Sequence, residues 1–147
     1  MNGKFPLQPL LDLAQNRMDD AARRLGELIA SERDSQQKLD MLQNYRNEYH
    51  ARFMQAAREG IGPDAWRNFS TFLGRIDEAI ASQARLLEQS RHQTAQGQQA
   101  WLAQRNKVKA FDTLSQRHQA GVLRSENRRE QKMTDEHAAK RRDQEEE

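Results

Sequence analysis

The sequence predicts an all-α fold, a long antiparallel two-helix coiled coil closed as an αα-hairpin with its turn near residues 60–63. Three observations carry that reading. Apolar residues recur at alternating steps of three and four along most of the chain. Helix breakers are confined to the start and to one cluster near the middle, where Gly60, Gly62 and Pro63 fall together and Pro63 is the sole proline after residue 9. The composition, 35% hydrophobic and 31% charged with a mean hydropathy of −1.11, suits long solvated helices better than a thick core.

Residues 1–9 hold Pro6 and Pro9 and form an N-terminal segment, so helix one is expected to begin near Pro9 or Leu10. From Leu11 the heptad series runs Leu11, Ala14, Met18, Ala21, Leu25, Leu28, Glu32, Ser35, Leu39, Leu42, Arg46, Tyr49, Phe53 and Ala56, of which 11 of 14 are apolar. Strict 3-4 spacing over that length specifies a left-handed coiled coil, because an ordinary 3.6-residue stripe drifts around the helix instead.

The turn follows. Pro63 has no N–H to give and disfavours helix at Gly62, while glycine accepts the left-handed backbone that ends a helix, so the chain folds back and Pro63 opens helix two. The second series starts at Trp66: Trp66, Phe69, Leu73, Ile76, Ile80, Gln83, Leu87, Ser90, Thr94, Gly97, Trp101, Gln104, Val108, Phe111, Ser115, His118 and Val122, with 10 of 17 apolar. It is strong to Leu87, weak from Ser90 to Gly97 and strong again from Trp101. A pivot at residue 61 makes facing residues sum to 122, pairing Phe53 with Phe69, Leu25 with Gly97, Ala21 with Trp101 and Leu11 with Phe111. The hairpin thus occupies 10–122, a rod of roughly 75 Å at ~1.5 Å per residue, with a thin polar middle around Glu32 and Ser90 where a bend or hinge is expected. Residues 123–147 carry no apolar stripe except Met133 and read as a charged tail, helical extension or disordered, ending in the acidic run Asp143 to Glu147.

Function classes narrow quickly. The 24 Lys and Arg against 22 Asp and Glu are spread evenly, 9 and 9 over residues 1–60, 8 and 5 over 61–120, 7 and 8 over 121–147, so no basic arm points to nucleic acid. Zero cysteines fit a reducing cytosol and exclude disulfides and thiol chemistry. No 18-residue apolar run and no secretion signal occur, which predicts a soluble chain without direct membrane insertion. His50, His92, His118 and His137 fall in no metal-ligating spacing, Asp135-Glu136-His137 sits in the charged tail with nothing to desolvate it, and no phosphate-binding glycine motif occurs. No catalytic, cofactor or metal residue is therefore expected, and an enzyme is the least expected class. Trp66 and Trp101 occupy seam positions and are read as core rather than as base-stacking platforms.

The flank of the seam is more informative. In an antiparallel pair the g positions of both helices line one side: Lys38, Tyr45 and Arg52 from helix one, Ala65, Phe72, Ala79 and Leu86 from helix two. Tyr45 and Phe72 are aromatics a two-stranded seam does not need. Either they widen the core or they form an apolar strip that docks a partner.

Four stretches in this order, LLDLAQNRMDDAARRLGEL at 10–28, QKLDMLQNYRNEYHARF at 37–53, WRNFSTFLGRIDEAI at 66–80 and SENRREQKMTDEHA at 125–138, resemble the FliJ family of the bacterial flagellar type III export apparatus. The resemblance implies a cytoplasmic two-helix coiled coil similar in shape to the central stalk of rotary ATPases, peripheral at the cytoplasmic face of the inner membrane at the flagellar base. It implies that the chain promotes assembly of the hexameric ring of the export ATPase FliI, associates with FliH, couples the ring to the export gate FlhA and handles export chaperones, and so bears on flagellum assembly, motility and chemotaxis. The gate-contacting patch it implies maps onto Leu42, Tyr45, Tyr49, Phe72, Ile76 and Ala79. At Lys38 and Gln83 this chain departs from the glutamine and histidine of the family pattern. A structural coiled-coil scaffold or adaptor without a coupling role is the alternative.

Overall fold

The computed structural model describes residues 3–146. It contains two helices, α1 (Gln8–Glu59) and α2 (Pro63–Glu145), which form an all-α antiparallel hairpin with no strand among the described residues. Helix one starts a residue or two earlier than the prolines suggest. The Leu7 carbonyl accepts the N–H groups of Leu10 and Leu11, and Pro9 sits in the first turn, where a missing N–H costs nothing.

The turn is built as its residues dictate. Gly60 takes a left-handed φ of 91° and donates its N–H to the Ala57 carbonyl, closing the end of α1. The Gly62 carbonyl accepts from Trp66 N–H at 3.0 Å, Pro63 opens α2, and Asp64 places a negative charge at its positive end. An alanine Cβ at Gly60 would meet nothing within 4 Å, so only the backbone conformation resists it. Gly60→Ala is expected to lower stability by about 1 kcal/mol; an unchanged denaturation midpoint would mean that the turn needs no left-handed residue.

Packing divides the chain into two compact units: Asp20–Trp101, which holds the turn, and the described residues of Met1–Asp19 with Leu102–Glu147. In the turn-bearing unit the cross-helix contacts fix the register. The rings of Phe53 and Phe69 lie 5.3 Å apart, Thr94 Oγ1 donates to the Leu28 carbonyl, and the space above Gly97 is closed by the Leu25 Cα. All three pairs sum to 122, as the heptads predict. Leu28, Leu39, Ile76 and Leu87 are buried on this seam, and Arg46, itself at a seam position, reaches out to pair with Asp77 on the neighbouring helix.

Both helices run without interruption through the weak stretch from Ser90 to Gly97. Polar residues replace side-chain bulk with direct bonds. The single Thr94 Oγ1 proton is shared between the carbonyls of Ser90 at 3.0 Å and Leu28 at 3.3 Å, Gln83 Nε2 donates to the Ser35 carbonyl at 3.0 Å, and Arg91 donates to Gln36 Oε1 at 3.0 Å. Ser90 is buried there and Gly97 carries no side chain, so the backbones come close.

In the other unit Leu11, Ala14 and Ser115 are buried, and Phe5 folds from the N-terminal segment onto His118 with ring centroids 5.7 Å apart. From Leu123 onward α2 continues to Glu145 with every described residue exposed. The exposed Asp135, Glu136 and His137 belong to this stretch.

Candidate partner interface

The heptads place Phe53 and Tyr49 on α1 and Trp66, Phe69 and Phe72 on α2 within three successive layers next to the turn, and antiparallel pairing interleaves them. The result is a chain of six rings. Trp66 meets Phe53 at 4.8 Å, Phe53 meets Phe69 at 5.3 Å, Phe69 meets Tyr49 at 5.4 Å, Tyr49 meets Phe72 at 4.7 Å and Phe72 meets Tyr45 edge-on at 6.4 Å. Tilted and edge-to-face pairs at such separations are favourable because ring edges are positive and faces negative. The ladder therefore stiffens its own outermost members.

Those members face water. Tyr45 is 45% exposed and Phe72 37% exposed although each touches the other, so the two g-position aromatics pack and yet leave an open apolar edge. Beside Phe72 lies a shallow recess of about 350 Å³ lined by Tyr49, Asn68, Thr71, Phe72 and Arg75. Along α1, Met41 and Tyr45 border another of about 430 Å³, together with Gln37, Asp40, Asn44 and Glu48. An apolar strip with polar margins is the anatomy of a protein-docking surface.

The six residues implied by the family resemblance do not behave alike. Tyr45, Tyr49 and Phe72 form one contiguous aromatic group. Ala79 is exposed, Leu42 is half-buried, and Ile76, at 5% exposure, lies in the seam and offers a partner almost no surface. Gln83, where the chain departs from the family pattern, turns its amide inward to Ser35. Two exposed apolar side chains join the strip's surroundings: Met41, which the seam count passes over because it sits one position outside the g row, and Leu86, which the g row includes. Trp66 departs from its reading as core. It is 50% exposed, because the layer it belongs to is the last before the turn and faces only Ala56 and Phe53. Trp101, inside α2, is half-buried as a seam residue should be.

Among the described residues no group of three or more His, Asp or Glu side chains is placed to hold a metal, and no helix is long and apolar enough to cross a membrane. What the architecture presents is an antiparallel two-helix hairpin carrying an exposed aromatic edge on its flank. A family model for the flagellar FliJ protein matches residues 3–147. Relatives include the flagellar FliJ protein of Salmonella typhi, 33% identical over 132 residues that span 90% of both chains, and that of Escherichia coli (strain K12), 32% identical over the same share. The chain belongs to the FliJ family of flagellar proteins. A solved structure described as a YscO homolog from Chlamydia trachomatis superposes with a TM-score of 0.57 at 17% identity, covering 90% of this chain and 91% of the other, and shares the fold.

Proposed function

We propose that the chain is a non-catalytic component of the flagellar type III protein export apparatus, acting in the cytoplasm and peripherally at the inner membrane. It promotes assembly of the hexameric FliI ATPase ring, associates with FliH, couples the ring to the export gate FlhA, and handles export chaperones, so that its loss impairs swimming. Family membership supports the setting. The observation that carries the coupling role is the exposed Tyr45–Phe72 pair, braced from behind by Tyr49 and Phe69. An edge held rigid in the free protein loses little conformational freedom on binding, and the aromatic residues are of the kind that dominate interface energies. Leu42, Ala79 and the margin of Tyr49 complete the contact, while Ile76 supports it from the seam.

Pull-down and binding isotherms with FliI and FlhA test the reading. Phe72→Ser is expected to weaken gate binding by about 2 kcal/mol, roughly 30-fold, and to leave ATPase binding unchanged. Equal retention of both partners would reject the patch and favour a scaffold without a coupling role.

A further inference from the structure

We infer that residues 3–7 are a strap that opens and closes against α2 while both helices stay folded, with Phe5 as its latch. The α2 seam runs on to Ser115 and His118, whose facing positions by the sum of 122 are Leu7 and Lys4, before α1 starts at Gln8. The strap fills in where α1 is missing. The half-buried Phe5 ring lies on the half-buried His118 ring with centroids 5.7 Å apart, and Ser115 is 7% exposed. Three features make this closure weak. Among the described residues no hydrogen bond or ion pair joins residues 3–7 to α2; the strap's bonds stay at its own end of the chain, from the Gln8 N–H to the Phe5 carbonyl at 3.1 Å and from the Leu10 and Leu11 N–H groups to the Leu7 carbonyl. A cavity of about 640 Å³ remains between the strap and the helices, bordered by Lys4, Phe5, Pro9, Asp12, Ser115 and His118, so part of the strap lacks packing partners. His118 Nε2 is shut off from water and has no hydrogen-bond partner among the described residues, a cost that opening removes because water then reaches the nitrogen. The gain from covering a phenyl ring is set against an orphaned nitrogen and an unfilled space. A segment held by so few contacts belongs to the low-stability end of a fold. Its opening bares Ser115, His118 and the cavity in one patch.

Diethyl pyrocarbonate, which acylates accessible imidazole nitrogens, reads the strap when the full chain is labelled at one pH and each histidine is followed by peptide mass spectrometry. His50, His92 and His137 are exposed and serve as internal references. His118 is expected to react about 10-fold more slowly than in the urea-unfolded chain, at a rate that stays flat through low urea, as an opening that exposes little surface does. Phe5→Ala is expected to bring His118 to within about threefold of its unfolded rate while the three references keep theirs. Helical circular dichroism shows whether that variant folds; if it does not, the urea dependence in the natural chain decides. A natural chain whose His118 reacts at the unfolded rate would overturn the inference, since the strap is then not closed. So would a rate that climbs with urea as steeply as global unfolding, since the strap then never opens alone, or a folded Phe5→Ala chain as slow as the natural one. None of these readouts involves FlhA, so they stand whatever becomes of the Tyr45–Phe72 reading.

Discussion

Leu87→Asp is expected to unfold the turn-bearing unit. Leu87 is 4% exposed, the least of the buried apolar residues described. Truncating a leucine in such a place costs about 2–5 kcal/mol, and leaving an unpaired carboxylate there adds several more. The sum is comparable to the whole stability of an ordinary small domain, about 5–15 kcal/mol. Loss of helical circular dichroism, or a collapse of the urea midpoint, is the measurement. Leu86 is the natural control, since the next residue along points outward and is exposed. Leu86→Asp is expected to change stability by no more than about 0.5 kcal/mol. Equal effects at the two positions would mean that the helices pair in another register.

Gly97→Leu is the second large effect, and here local preference and tertiary packing have opposite signs. In an isolated helix, leucine improves on glycine by roughly 0.8 kcal/mol or somewhat less. In the hairpin a Cβ on residue 97 would lie 2.6 Å from Leu28 Cδ1 and 3.7 Å from Leu25 Cδ1, with the Leu25 backbone itself at 4.0 Å. Alanine needs only a rotation of the Leu28 methyl, so Gly97→Ala should be close to neutral, the helix preference offsetting the crowding. Leucine has nowhere to go without spreading the helices, and the Thr94 bond to the Leu28 carbonyl lies one layer away. Overpacking at about 3 kcal/mol plus a weakened hydrogen bond at about 1 kcal/mol outweighs the gain. The expected result is a net loss of about 3 kcal/mol with faster hydrogen exchange in the Ser90 to Gly97 stretch; a variant as stable as the natural chain would show that the helices are not in close contact there.

Much of the fold was legible because a coiled coil writes its packing into its sequence spacing. Each seam residue touches its counterpart by arithmetic once the turn is known, and the turn is marked by residues with backbone needs that no other side chain meets. All fourteen seam positions from Leu11 to Ala56 are buried or half-buried in the structure, the polar Glu32, Ser35 and Arg46 among the half-buried. The exposed aromatic edge was half legible. The g-position rule puts Tyr45 and Phe72 on one side, yet whether a flanking ring closes over the core or stands clear depends on rotamer and neighbour, which spacing does not encode. Trp66 shows the limit. A heptad count treats every a position as equal, whereas a layer at the end of a hairpin has a neighbour on one side and water on the other.

The amino-acid order by itself settled the two helices, the place and chemistry of the turn, and the register, because hydrophobic period and backbone constraint are properties of local sequence. Only the tertiary structure decided how the weak stretch is filled, by hydrogen bonds and a side-chain-free glycine instead of a gap, and which aromatics stay exposed to solvent. Those outcomes depend on the distance between two backbones and on what covers each ring, quantities that exist only once the chain has folded against itself.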